Sequence, residues 1–225
     1  MKNEIKIMSL PLPFRMGSVN CYLIKTGASY VLIDTGGSRN RKELATELEG
    51  VGCKPGLLKL IVLTHGDFDH TGNAAYLRDT FSAQVAMHSD DSGMVELGDM
   101  FVNRKKPNVL IRSLIPVFSR FGKLERFTPD LLVEDGDDFC EYGFDAKVVS
   151  IPGHSKGSIG ILTAGADLFC GDLLENTGEP VLNSLIDDLA AANASLQKLR
   201  GMGIGTVYPG HGKPFLMHLI KGAST

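Results

Sequence analysis

Leu58–Leu63 is an apolar run rich in branched side chains, interrupted only by Lys59, and it leads straight into Thr64-His65-Gly66-Asp67-Phe68-Asp69-His70. Four consecutive apolar residues, Leu60 to Leu63, suit a strand covered on both faces, not the alternation of a half-solvated one. Such strands belong to layered α/β proteins, so this segment commits the chain to a sheet shielded by helices. The strand also ends on a block of polar, ligand-capable side chains, which places chemistry at the edge of that sheet.

The surrounding pattern agrees. Ala74–Phe81 reads as a helix and Gln84–Met87 as the next strand, giving the strand, loop, helix, strand rhythm of an α/β unit. Upstream, Cys21–Lys25 and Tyr30–Ile33 are predicted strands joined by a turn around Gly27. Arg41–Leu48 is a predicted helix ending near Gly50. Downstream, Lys147–Ile151 is a strand entering Pro152-Gly153-His154-Ser155. Ile159–Thr163 and Asp167–Cys170 form a predicted hairpin around Gly165, and the second strand ends at Gly171-Asp172. Ile186–Arg200 is a predicted helix, and Thr206–Tyr208 a strand running into Pro209-Gly210-His211-Gly212.

Asp90–Arg126 breaks the rhythm. Met94, Leu97, Met100, Phe101 and Leu110 recur at helical spacing, which predicts helices interrupted near Pro107 and Pro116, as core packing or as a wall over a pocket. Residues 1–225 are read as a single domain with a helical insertion around 90–126.

Charge and cysteine usage narrow the function. A formal charge of −3 disfavours nucleic acid as a partner. The Arg104-Lys105-Lys106 run is read as a solvated loop. Met1 to Gly17 carries Lys2, Glu4, Lys6 and Arg15 and lacks a signal-peptide apolar core; with no stretch long enough for a membrane span, a soluble cytoplasmic protein with no membrane partner is expected. Cys21, Cys53, Cys140 and Cys170 are scattered and are expected to be free thiols.

His65, Asp67, Asp69 and His70 are imidazole or carboxylate ligands with no thiolate among them, clustered at a strand end. His154, Asp172 and His211 also follow predicted strands directly. In layered α/β folds, loops at strand ends gather at one edge, so these residues are candidates for a common metal site. His88 and His218 fit none of these motifs and are assigned ordinary structural roles, and Tyr208 is read as a packed strand residue.

Taken in order, Leu32-Ile33-Asp34-Thr35-Gly36, the His65–His70 block, Gly153-His154-Ser155, Gly171-Asp172 and Gly210-His211-Gly212 resemble the metallo-β-lactamase superfamily over nearly the whole chain. The resemblance implies a four-layer αβ/βα sandwich and two divalent metal ions. His65, Asp67 and His154 would hold the first metal; Asp69, His70 and His211 the second. Asp172 would bridge them, and Asp34 would stand behind the ligands and orient them. Asp67 departs from the family pattern, which has a second histidine at this position; the flavodiiron branch carries a carboxylate there. The added negative charge predicts a less positive centre, friendlier to iron or manganese, with zinc still the first expectation.

The function expected is glyoxalase II-like hydrolysis of a small-molecule thioester, ester or lactone by a metal-bridging hydroxide, with Asp69 as catalytic orienting group and proton carrier. Phosphodiester cleavage, non-heme iron oxygen or persulfide chemistry and a metal-stabilised binding module are the alternatives. Lys156, two residues after His154, is a candidate substrate-binding cation, with an exposed solvated lysine as the other reading. The oligomeric state, a homodimer included, stays open.

Overall fold

The computed structural model describes residues 4–104 and 125–221. Two six-stranded sheets dominate it. The first runs in chain order through β1 (Glu4–Pro11), β2 (Ser18–Thr26), β3 (Ser29–Ile33), β4 (Leu58–Val62), β5 (Gln84–His88) and β6 (Leu131–Val133). β1, β2 and β3 are antiparallel, while β3 to β6 are parallel. The second sheet contains β7 (Asp138–Phe139), β8 (Phe144–Ser150), β9 (Ile159–Thr163) and β10 (Asp167–Gly171). A small ribbon of β11 (Leu174–Glu175) and β12 (Val181–Leu182) interrupts the chain before β13 (Thr206–Pro209) pairs parallel to β10 and β14 (Phe215–Leu216) closes the edge.

The sheets pack face to face. Tyr22, Ile24, Val31, Ile33, Leu60 and Val62 of the first meet Phe144, Val148, Ile159, Ile161 and Phe169 of the second in one buried cluster. The other face of the first sheet is covered by α1 (Arg41–Gly50) and α3 (Ala74–Phe81), through Leu44, Leu48, Leu77 and Phe81. The outer face of the second sheet is covered by α5 (Leu189–Arg200), through Ala192, Leu196 and Leu199. Helix, sheet, sheet, helix is the expected αβ/βα sandwich. β4 is buried on both faces because Leu58 and Ile61 belong to the outer cluster and Leu60 and Val62 to the inner one.

The structure adds elements and moves boundaries. β1 pairs along its length with β2 although most of its side chains are not buried, so partner backbone rather than apolar burial defines it. The last helix begins at Leu189, not Ile186, because Asp188 accepts a hydrogen bond from the Ala191 amide and caps it there. Asp69 lies inside α2 (Phe68–Thr71), a single turn. Of the helices expected over 90–126, α4 (Ser89–Leu97) is present and stops at left-handed Gly98; the breaks at Pro107 and Pro116 lie outside the described residues. Cys21, Cys53, Cys140 and Cys170 are free thiols. No helix among the described residues is long and apolar enough to cross a membrane.

Candidate metal centre

Each candidate ligand sits on a loop at a strand end, along one edge of the two sheets. His65 follows β4, Asp69 and His70 ride on α2, His154 follows β8, Asp172 follows β10 and His211 follows β13. The structure brings them into two adjoining groups. His65, His154 and Asp172 each present a ligand atom within 4.8 Å of the others, and Asp69, His70 and His211 do the same. Asp172 joins the groups, with Oδ1 at 3.3 Å from His70 Nε2 and Oδ2 at 3.2 Å from His211 Nε2. Asp69 Oδ2 is 3.5 Å from His211 Nε2.

All four histidines are turned the same way. His65 Nδ1 meets Thr64 Oγ1 at 2.9 Å, His70 Nδ1 meets Asp34 Oδ2 at 2.8 Å, His154 Nδ1 meets the Leu185 carbonyl at 2.5 Å and His211 Nδ1 meets the Ser18 carbonyl at 2.8 Å. A carbonyl or carboxylate can only accept, so Nδ1 carries a proton and Nε2 is the ring nitrogen turned to the centre. Asp34 does this for two ligands. It accepts from His70, and also from the Thr64 amide at 2.9 Å and the Thr64 hydroxyl at 2.8 Å, which leaves the Thr64 oxygen to accept from His65. Asp34 itself is held at φ 58°, a left-handed conformation uncommon outside glycine, asparagine and aspartate.

The electrostatics are those of charges packed together and largely buried. Burial opposes the charged form of His70, but the carboxylates of Asp172, Asp34 and Asp69 outweigh it and hold its pKa well above the ordinary histidine value. Burial likewise opposes charge on His211, yet Asp172 raises it to about 9. Asp172 responds in the opposite sense: burial would raise it, and His211 and His70 pull it well below the usual carboxylate range. Burial, followed by repulsion from His70 and His154, pushes His65 well down. Asp69 is raised, chiefly by burial.

Donor chemistry and shape fit divalent cations. His65 Nε2, His70 Nε2 and Asp172 Oδ1 are buried without a hydrogen-bond partner, a costly condition unless a ligand satisfies them. Gly210 is required beside them, since a Cβ there would overlap Asp172 Oδ1 and crowd His70 Cε1 to 2.7 Å.

Asp67 stands apart from both groups. Its Oδ2 faces His154 Nε2 at 3.0 Å and His65 Nε2 at 3.7 Å, while Oδ1 accepts from Arg104 Nη1 at 2.6 Å. Burial would raise its pKa; His154, His65 and Arg104 together hold it well below normal. For Arg104 this corrects the reading of the basic run as a solvated loop, since its side chain is 9% exposed and reaches the centre; Lys105 and Lys106 lie outside the described residues. Nothing local in the sequence marks it, because its partner lies 37 residues away.

Asp67, Asp69, His154, Asp172, His211 and Arg104 line a cavity of about 1100 Å³. Leu12, Met16, Phe68, Phe101, Leu185 and Ile186 are the apolar part of its lining, and Lys213 lies on it too. Lys156 is not among the lining residues; it is 66% exposed and pairs with Asp90 at 2.7 Å. His88 accepts from the Asp90 amide and stands 3.0 Å from Glu134, and Tyr208 stacks on Phe169.

Two positioning residues also escaped the sequence reading. Asn20 of β2 donates to the carbonyls of Pro209 and Gly212, which pins the His211 loop. Asp91 of α4 is buried and accepts from the Gly66 amide, the Ser155 hydroxyl and the Gly157 amide, tying the His65 and His154 loops together.

Comparison with known proteins agrees with this geometry. Residues 15–211 match the family model of the metallo-beta-lactamase superfamily. A beta-lactamase-like protein 2 homolog from Caenorhabditis elegans is 28% identical over 90% of this chain, which spans 58% of that relative's length. The hydroxyacylglutathione hydrolase GloC of Haemophilus influenzae is 28% identical over 74% of this chain and 72% of its own. The acyl-coenzyme A thioesterase MBLAC2 of Bos taurus is 28% identical over 87% of this chain and 74% of its own. Among solved structures, the BLEG-1 B3 metallo-beta-lactamase superposes with a TM-score of 0.71 at 25% identity, covering 95% of both chains. The di-iron-bound form of TTHA1623 superposes at 0.67 and 28% identity, covering 93% of this chain and 96% of that one. The chain belongs to the metallo-beta-lactamase superfamily.

Proposed function

We propose that this chain is a dinuclear metal-dependent hydrolase of small acyl thioesters. The observation that carries the reading is the set of four histidines anchored through Nδ1 with Nε2 turned inward, gathered with Asp69 and Asp172 beside a cavity that also has apolar lining. His65, His154 and Asp172, with Asp67 beside them, would hold one cation; Asp69, His70 and His211 would hold the other. Such cations supply a nucleophilic water near neutral pH and stabilise negative charge developing on oxygen.

The chain's own side chains do the rest. Leu12, Phe68, Phe101 and Leu185 shed water from the acyl portion and hold its carbonyl against the polar wall. Lys213 offers a cation to an anionic carrier. Asp69, which lines the cavity and lies 3.5 Å from His211, is the carboxylate placed to orient the nucleophile and carry its proton. The hydroxyacylglutathione hydrolase and acyl-coenzyme A thioesterase among the relatives support thioesters over phosphodiesters. Zinc is the metal proposed; the di-iron-bound relative supports iron as the other reading.

The test is turnover by protein loaded separately with zinc, iron and manganese, on matched acyl thioester, lactone and phosphodiester substrates. Thioester hydrolysis that stops on chelation and returns with metal is the expected result. Phosphodiester turnover alone, or oxygen uptake by the iron form without hydrolysis, overturns it.

A further inference from the structure

Arg104 and Asp67 form a buried ion pair at the very position where this chain departs from the family's histidine. Both side chains are 9% exposed. The guanidinium takes Oδ1 of Asp67 at 2.6 Å, so only Oδ2 faces His154 and His65. Arg104 is steadied from behind: Nη2 reaches towards the His154 carbonyl at 3.5 Å, and Nε lies 2.8 Å from Asp187. Asp187 is 38% exposed and therefore better screened than Asp67. A buried guanidinium beside a cation site is costly unless a carboxylate answers it, and a buried carboxylate needs the same of a cation. Replacing a neutral imidazole by a carboxylate lowers the formal charge of the centre by one, and the guanidinium raises it by one.

We propose that Arg104 is the positioning and charge partner of Asp67: it occupies one carboxylate oxygen, leaves the other as a single ligand atom, and cancels the charge that distinguishes Asp67 from a histidine. The proposal rests on the metal-centre reading above. Its consequence reverses the expectation drawn from Asp67 alone. With Arg104 in place the centre has the charge of its histidine-bearing relatives, and the preference for harder ions is suppressed. Removing the guanidinium frees Asp67 to bind through both oxygens and restores that preference.

The experiment compares wild type, Arg104→Gln, Arg104→Lys, Asp67→His and the Asp67→His/Arg104→Gln double variant. Each is stripped of metal and titrated with zinc and with manganese against a chromogenic chelator, with circular dichroism recording the fold. Arg104→Gln should move the affinity ratio towards manganese by about tenfold. Arg104→Lys, which keeps the charge but not the planar fork, should move the ratio less than Arg104→Gln does. Asp67→His alone leaves a buried unpaired guanidinium and should bind zinc more weakly than the double variant. Independent, multiplying effects of the two substitutions, or an unchanged ratio in Arg104→Gln, overturn the proposal. If Arg104→Gln does not fold, a ratio in Arg104→Lys displaced tenfold overturns it equally. A wild type that binds neither metal refutes the metal centre itself, a different outcome from additivity.

Discussion

At the scale of single residues, the centre depends on a few acceptors that hold imidazoles by their far nitrogens. Asp34 is the most heavily used, since it serves His70 directly and His65 through Thr64. Asp34→Asn tolerates the left-handed backbone but cannot accept from all of its present donors. Zinc affinity should fall about 10- to 100-fold, as measured by chelator competition; an unchanged affinity would show that the histidines keep their orientation without it. Asp69 is the residue through which chemistry is tested. Asp69→Asn should lower kcat on a thioester about 10²- to 10⁴-fold, and stopped assays on variant protein matched for metal content decide whether the loss is catalytic or merely one of loading.

At the scale of elements, α4 is what keeps the two ligand loops in register, through the carboxylate of Asp91. Asp91→Ala strands the Gly66 and Gly157 amides and the Ser155 hydroxyl, and should cost about 3 kcal/mol in urea unfolding; a loss below about 0.5 kcal/mol would mean that water replaces the carboxylate. The same helix shows how far the sequence could be read. Strand-end motifs such as Gly153-His154-Ser155 were legible because ligand, turn residue and preceding apolar run are contiguous. Asp91 and Arg104 were not, because their partners lie 64 and 37 residues away and no local spacing records the contact. β1 was missed for a related reason: Met8 and Leu10 are its buried side chains, so its extended form comes from β2's backbone and not from its own pattern. β6 and β7, three and two residues long, are shorter than any period that could announce them. α3, whose apolar positions Leu77 and Phe81 fall on one face, was placed with both its boundaries.

At the scale of the whole molecule, metal and fold are linked, because the ligands come from loops of both sheets. Ions binding only the folded chain stabilise it by mass action, by about 4 kcal/mol at a thousandfold excess over Kd. Chelation should therefore lower Tm by on the order of 10 °C in differential scanning calorimetry. Protons compete for the same sites. His70 and His154 are raised and His211 is raised to about 9, so without metal His211 retains a proton at neutral pH. Since the metal takes neutral imidazole, loading at pH 7 should release protons and affinity should climb as pH rises towards about 9. Titration calorimetry in two buffers of different ionisation heat reads the release directly, and identical heats would contradict it. The anchoring of His154 and His211 has a further meaning for how such a protein changes over generations. Their acceptors are the main-chain oxygens of Leu185 and Ser18, two residues that also line the cavity. Any amino acid brings the same carbonyl, so mutation at 18 or 185 can remodel what the cavity admits and leave the ligands aimed as before. Substrate choice is thus free to drift on residues whose backbone keeps the catalytic apparatus in inheritance.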